Sequence, residues 1–241
     1  MDPLWLIVTL SVLGPIAGSA LGVIRRPSYE VICNLLCFAA GVMLAISFLE
    51  LIPESIRLSG IGTCVFGLVA GSAAMFGVDR LVPHIHPGLC AQEQGKNLQR
   101  TSPYLLTGIF MHNLPEGMAI SIGGAADASV SVTIAVAIAI HNIPEGVCTA
   151  APYYLATGRR GRAFFLSSLT AAPILAGFLA GRFLLAGAGD NVLGFIVGAT
   201  AGLMIYITAD ELIPNARAGE SHLTIFSLMA GVIFVLLMGF S

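Results

Sequence analysis

Charge is what this 241-residue chain has little of: 10% of its residues are Asp, Glu, Lys or Arg, against roughly 25% in a soluble domain. Eleven basic and thirteen acidic residues leave a formal charge of −2. That balance excludes a basic nucleic-acid binder and an acidic disordered chain, and it leaves too little polar surface to face water all round. No polar stretch is long enough to hold a soluble domain. A secretory n-region is also missing: Asp2 precedes the first apolar run, which outlasts the usual signal core, so that run reads as a mature helix. Five cysteines, an odd number, include Cys33, Cys37, Cys64 and Cys148 inside predicted helices, where a small apolar side chain suffices and no disulfide framework is implied.

What is present in abundance is hydrocarbon, at 56% of residues. Apolar runs of about 20 residues, the length that crosses a ~30 Å bilayer core as a helix, recur along the whole chain. They fall near 4–24, 31–52, 61–82, 103–123, 130–155, 163–185, 191–213 and 222–240. The expected fold is an all-α integral membrane protein, a single transmembrane domain over 1–241 with eight transmembrane helices and a loop at 83–102. When the loops are assigned alternately to two sides, Arg25, Arg26, Arg80, Lys96, Arg100, Arg159, Arg160, Arg162 and Arg217 share one side and Arg57 and Arg182 the other. The positive-inside rule then places 83–102 in the cytoplasm and both termini outside.

The chain also repeats itself. Residues 112–117 read His-Asn-Leu-Pro-Glu-Gly and 141–146 read His-Asn-Ile-Pro-Glu-Gly, in spans four and five, which cross in opposite directions. A weaker pair flanks them: Ala-Gly-Val-Met followed by Glu-Leu-Ile-Pro over 40–53, and Ala-Gly-Leu-Met followed by Glu-Leu-Ile-Pro over 201–214. Spans two and seven are antiparallel too. This pattern predicts a 3+2+3 arrangement in which spans one to three relate to six to eight by an in-plane pseudo-twofold.

Within the central pair, His112 and Glu116 are four residues apart, as are His141 and Glu145, so each pair shares a helix face; Asn113 and Asn142 lie about 100° round. Pro115 and Pro144 each remove a helical hydrogen bond and release the carbonyl four residues earlier, which predicts a broken helix lining a cavity. A carboxylate at the bilayer centre costs roughly 2.5–3.5 kcal/mol even on the insertion scale, and neither span has a Lys or Arg to offset it. A divalent cation held by Glu116, Glu145, His112 and His141 would. Imidazole with carboxylate suits zinc, iron, manganese and related ions better than thiolate-preferring ones.

These motifs, with Ala-Thr-Gly and the basic stretch at 157–162 and Asp-Glu-Leu-Ile-Pro at 210–214, make the chain resemble the ZIP family of divalent-metal transporters, close to its short bacterial ZupT/GufA-like members. The resemblance covers essentially the whole chain. It implies a multi-pass protein of the bacterial inner membrane, a homodimer, with Zn2+ as substrate and no organic cofactor. By position it implies His112, Glu116, His141 and Glu145 as ligands of one metal site, and Asn113 and Asn142 joining the carboxylates at a second. Met43 falls where some relatives place a thioether near the first site; a core methionine explains it equally. Similar proteins often carry a Glu in the sixth helix, whereas this chain reads Ser167-Ser168-Leu169-Thr170-Ala171-Ala172-Pro173. Whichever alanine takes that place, it binds no metal, so the second site is expected to be weak or absent.

Glu50 and Glu54, and Asp210 and Glu211, sit where an entrance and an exit would lie; interfacial carboxylates solvated by headgroup water are the competing explanation. His84, His86 and Cys90 in the loop are candidates to take metal as it leaves. Two other classes compete with transport: an intramembrane metalloenzyme and a non-transporting metal sensor. The zincin pattern His-Glu-x-x-His is absent, and neither rival calls for two antiparallel half-sites.

Overall fold

The computed structural model describes residues 3–24, 28–81, 113–122, 128–185, 187–214 and 223–239. Among these residues every regular element is helical. In chain order they are α1 (Pro3–Ile24), α2 (Tyr29–Ile46), a π turn (Ser47–Leu51), α3 (Ile52–Leu81), α4 (113–122), α5 (Ala128–Thr157), α6 (Arg160–Ser168), a 3-10 turn (Leu169–Ala171), α7 (Ala172–Leu179), a second π turn (Ala180–Leu184), α8 (Asp190–Ile207), a third π turn (Thr208–Leu212) and α9 (Leu223–Gly239). Stretches long and apolar enough to cross a membrane are Trp5–Ile24, Cys33–Val78, Ile134–Ala151, Arg160–Leu184 and Asp190–Asp210, with the shorter Leu223–Met238 beside them.

Local chemistry sets the ends. Ser28 is extended and its Oγ accepts from the Val31 amide at 3.3 Å, capping α2, with Glu30 favourably placed in the first turn. A loop is expected at 53–60, but the chain stays helical and turns only at Gly60, whose φ of 78° is open to glycine. The turn is a reversal: Cys64 Sγ lies 3.8 Å from the Ile52 carbonyl oxygen, where a straight helix would separate the two residues by about 18 Å. Cys33–Val78 is therefore folded back on itself.

α5 differs from expectation in the other direction. It is continuous through Pro144 from Ala128 to Thr157, so the predicted break there does not occur. Proline deletes one bond of the ladder, and close packing against α1 holds the helix on either side of the gap. Gly14, Gly18 and Gly22 of α1 meet Ala139, Ile143 and Val147 of α5 in the same order, so the two run parallel with their backbones touching. α4 and α7 dock the same way, with Gly177 against Leu114 and Gly117 against Ile174.

Polar bonds between helices fall into two groups among the described residues. Ser11 Oγ donates to the Ala135 carbonyl, Asn113 to the Thr170 carbonyl, and Ser19, Thr149 and Ser167 join hydroxyls, linking α1, α4, α5 and α6 with its 3-10 turn. Ser55 and Ser72 of α3 donate to carbonyls of Gly194 and Gly202 in α8, and Ser227 of α9 to Asn34 of α2. An apolar core that includes Met43, Ile46, Ile138, Phe178 and Met204 fills the space between.

Candidate metal centre

α4 and α5 bring Glu116 and His141 together. Both are fully buried, and His141 Nε2 lies 3.1 Å from Glu116 Oε1. The other ring nitrogen, Nδ1, lies 3.0 Å from the Ala137 carbonyl oxygen one turn earlier. A carbonyl only accepts, so Nδ1 carries a hydrogen and Nε2 is the nitrogen turned toward the carboxylate. Asn142 Nδ2 donates to the second oxygen, Glu116 Oε2, at 3.4 Å. Imidazole and amide thus hold both oxygens of one carboxylate.

Asn113 is anchored differently. Its Nδ2 donates to the Thr170 main-chain carbonyl at 2.7 Å, in the 3-10 turn that precedes Pro173. With their nitrogens committed, Asn113 and Asn142 each turn an amide oxygen into the interior, and neither oxygen has a hydrogen-bond partner. Such an orphaned acceptor is costly inside a membrane, and a cation satisfies it. Glu145 is buried at 4% exposure one turn beyond His141. Among the described residues no three His, Cys, Asp or Glu side chains converge closely enough to form a metal cage; His112 lies outside the described residues, as do His84 and His86. The chemistry on hand is therefore hard and borderline: imidazole nitrogen, carboxylate and amide oxygen.

The remaining predicted positions are scattered. Met43 is fully buried, and its sulfur accepts from Thr208 Oγ1 at 3.8 Å. Glu50 is half-buried at the first π turn, and Glu54, beyond it, is buried and forked onto Arg57. Asp210 is exposed in the third π turn, which also contains the backbone of Glu211. Ala171 is buried in the 3-10 turn beside Thr170, and Ala172 is exposed.

Sequence reasoning does not reach the Thr170 carbonyl, because a main-chain acceptor has no residue signature. It also misses the hydroxyl cluster of Ser19, Thr149 and Ser167, in which Thr149 Oγ1 contacts Ser167 Oγ and both approach the Gly146 carbonyl oxygen, at 3.1 and 3.2 Å. Its signal was there: hydroxyl residues inside apolar helices at membrane depth need partners.

Buried imidazole, carboxylates and amides inside long apolar helices define a multi-pass α-helical membrane protein with a polar site closed off from solvent. The profile of the family described as ZIP Zinc transporter matches residues 88–239. Proteins named zinc transporter ZupT from Salmonella newport (strain SL254), Salmonella typhimurium (strain LT2) and Salmonella typhi are each 36% identical to the chain over 208 residues, covering 83% of this chain and 81% of theirs. The chain belongs to the ZIP zinc transporter family, a family of transporters and not of enzymes.

Proposed function

We propose that this chain carries zinc, and with it iron, manganese, cobalt and cadmium, across the membrane into the cytoplasm through a centre between α4 and α5. The observation that carries this reading is the buried Glu116–His141 contact, flanked by the two orphaned amide oxygens of Asn113 and Asn142. His112, Glu116, His141 and Glu145 serve as ligands of one ion. Asn113 and Asn142 with the two carboxylates make a second, weak position, because α6 and its 3-10 turn bring a carbonyl and an alanine where a carboxylate would add charge.

Eight spans in a 3+2+3 inverted repeat complete the reading, and the packing supports it. Gly18 meets Ile143, and Gly177, 159 residues later, meets Leu114, 29 residues before Ile143; Gly146 meets Pro15, and Gly117 meets Ile174 by the same two offsets. The π turns at Ser47–Leu51 and Thr208–Leu212 are likewise 161 residues apart, as are Met43 and Met204. Both termini and the Gly60 turn are assigned outside, loop 83–102 inside, and the protein to the bacterial inner membrane as a homodimer. Glu50 and Glu54 belong to the entrance, and Asp210 and Glu211 to the exit, with His84 and His86 beyond.

Uptake of radiolabelled zinc into proteoliposomes tests it, with unlabelled iron, manganese, cobalt and cadmium as competitors. Saturable uptake should fall at least about tenfold in His141→Ala/Glu145→Ala protein. Well-folded wild type that binds zinc and moves none of it would leave a sensor instead.

A further inference from the structure

Glu54 and Arg57 lie at the end of the second span, in the turns just before the chain reverses at Gly60. Arg57 Nε donates to Glu54 Oε2 at 2.7 Å and Nη2 to Oε1 at 2.6 Å, a fork that occupies both carboxylate oxygens. The two partners are unequally placed: the Glu54 side chain is 9% exposed and the Arg57 side chain 59%. An exposed ion pair three residues apart contributes little, but here the carboxylate is inside and the cation reaches in to it from the surface. Counting 161 residues on, the offset that relates the two π turns, the corresponding positions are Asn215 and Ala218. Asn and Ala cannot make a carboxylate–guanidinium pair, so the sequence does not repeat the pair at those positions.

A buried carboxylate needs a cation. Two candidates are available at this end: the guanidinium, always charged and matched in shape to the carboxylate, and a divalent ion arriving from outside. We propose that Arg57 is a resident counter-cation at the metal entrance, occupying the Glu54 carboxylate that an arriving divalent ion must take, and thereby setting the concentration at which uptake half-saturates. The inference rests on the transport reading above, with the Gly60 turn outside. A monovalent ion brings no more charge than the guanidinium and lacks its two directed bonds, so it cannot displace Arg57. A divalent ion brings twice the charge and can. Arg57 acts through Glu54 and touches no ion itself, so it positions and competes; the ligand at this step is the carboxylate.

The test is the KM and maximal rate of zinc uptake from outside by cells making the full chain. R57Q should lower KM about three- to tenfold with the maximal rate little changed, and should make uptake sensitive to added sodium chloride. R57K, which keeps the charge and loses the fork, should shift KM the same way by less. E54Q should raise KM, and R57Q placed on top of it should move KM much less than it does in wild type, since the effect of Arg57 runs through Glu54. KM unmoved in both R57Q and R57K overturns the inference, as does an equal drop in the E54Q background. Should R57Q fail to reach the membrane, R57K against wild type decides by the same criterion. Wild type without saturable uptake would instead sink the transport reading, an outcome plainly different from normal uptake with an unmoved KM.

Discussion

His141 Nε2 faces Glu116 Oε1 across 3.1 Å while Nδ1 of the same ring faces the Ala137 carbonyl oxygen across 3.0 Å. The second contact fixes a hydrogen on Nδ1. The first then sets a lone pair on Nε2 against a carboxylate oxygen, two acceptors at hydrogen-bonding distance, unless a proton lies between them. One proton on either group turns the repulsion into a hydrogen bond. A metal ion bound to both atoms, as proposed, would do the same work with more charge, and proton and metal would then compete for one position.

It follows that zinc binding should expel that proton. Titrating zinc into detergent-purified protein in weak buffer should release about one proton per ion from this pair, with further release from any other ligand protonated at the starting pH. Affinity should fall as the solution is acidified, because protons refill the position. In Glu116→Gln the amide nitrogen can bond Nε2 without a shared proton, so both zinc affinity and proton release should drop. Tight binding with no proton release would show that the Glu116–His141 contact is not where the ion sits.

On the proposed reading, α6 and the turn after it would decide whether a second ion can be held. Thr170 offers Asn113 a main-chain carbonyl, and buried Ala171 follows it with nothing to ligate. Two carboxylates balance one divalent ion and leave a second uncompensated. Wild type should bind one zinc per protomer tightly, and Ala171→Glu should raise that to two, read by elemental analysis of dialysed protein. Ala172→Glu, on the exposed side of the turn, should leave it at one. If Ala171→Glu also stays at one, the turn does not border the centre closely enough for its side chains to enter it.

These contacts divide what a sequence carries from what it does not. The doubled His-Asn-x-Pro-Glu-Gly motif places His141 and Glu116 on two neighbouring spans by helical period alone, and the apolar runs mark the membrane class. Period cannot say that the Pro144 helix stays whole, since that depends on whether neighbouring packing outweighs one lost bond. Nor can it reveal the π turns, where one extra residue in a turn shifts everything after it round the axis. Arg57 reads as a loop charge in the sequence, because pairing with Glu54 depends on a helix that continues to Gly60. The Asn113 partner is a carbonyl, and every residue has one.

The glycine contacts make the packing directly testable. At Gly177 an added Cβ would press into the Leu114 carbonyl, and at Gly18 into that of Ile143; both obstacles are backbone, which cannot turn aside as a side chain can. Gly177→Ala and Gly18→Ala should therefore force the α4–α7 and α1–α5 pairs apart, costing about 1–3 kcal/mol each. Gly62 has nothing within 4 Å of the equivalent point, so Gly62→Ala should be close to neutral and serves as the control. Thermal unfolding in detergent, followed by fluorescence-detected size exclusion, gives the comparison. Because the two glycine contacts are related by the offsets that relate the half-sites, the two alanine variants should lose stability to a similar degree. A large loss at one and none at the other would count against the pseudo-twofold, whatever it did to transport.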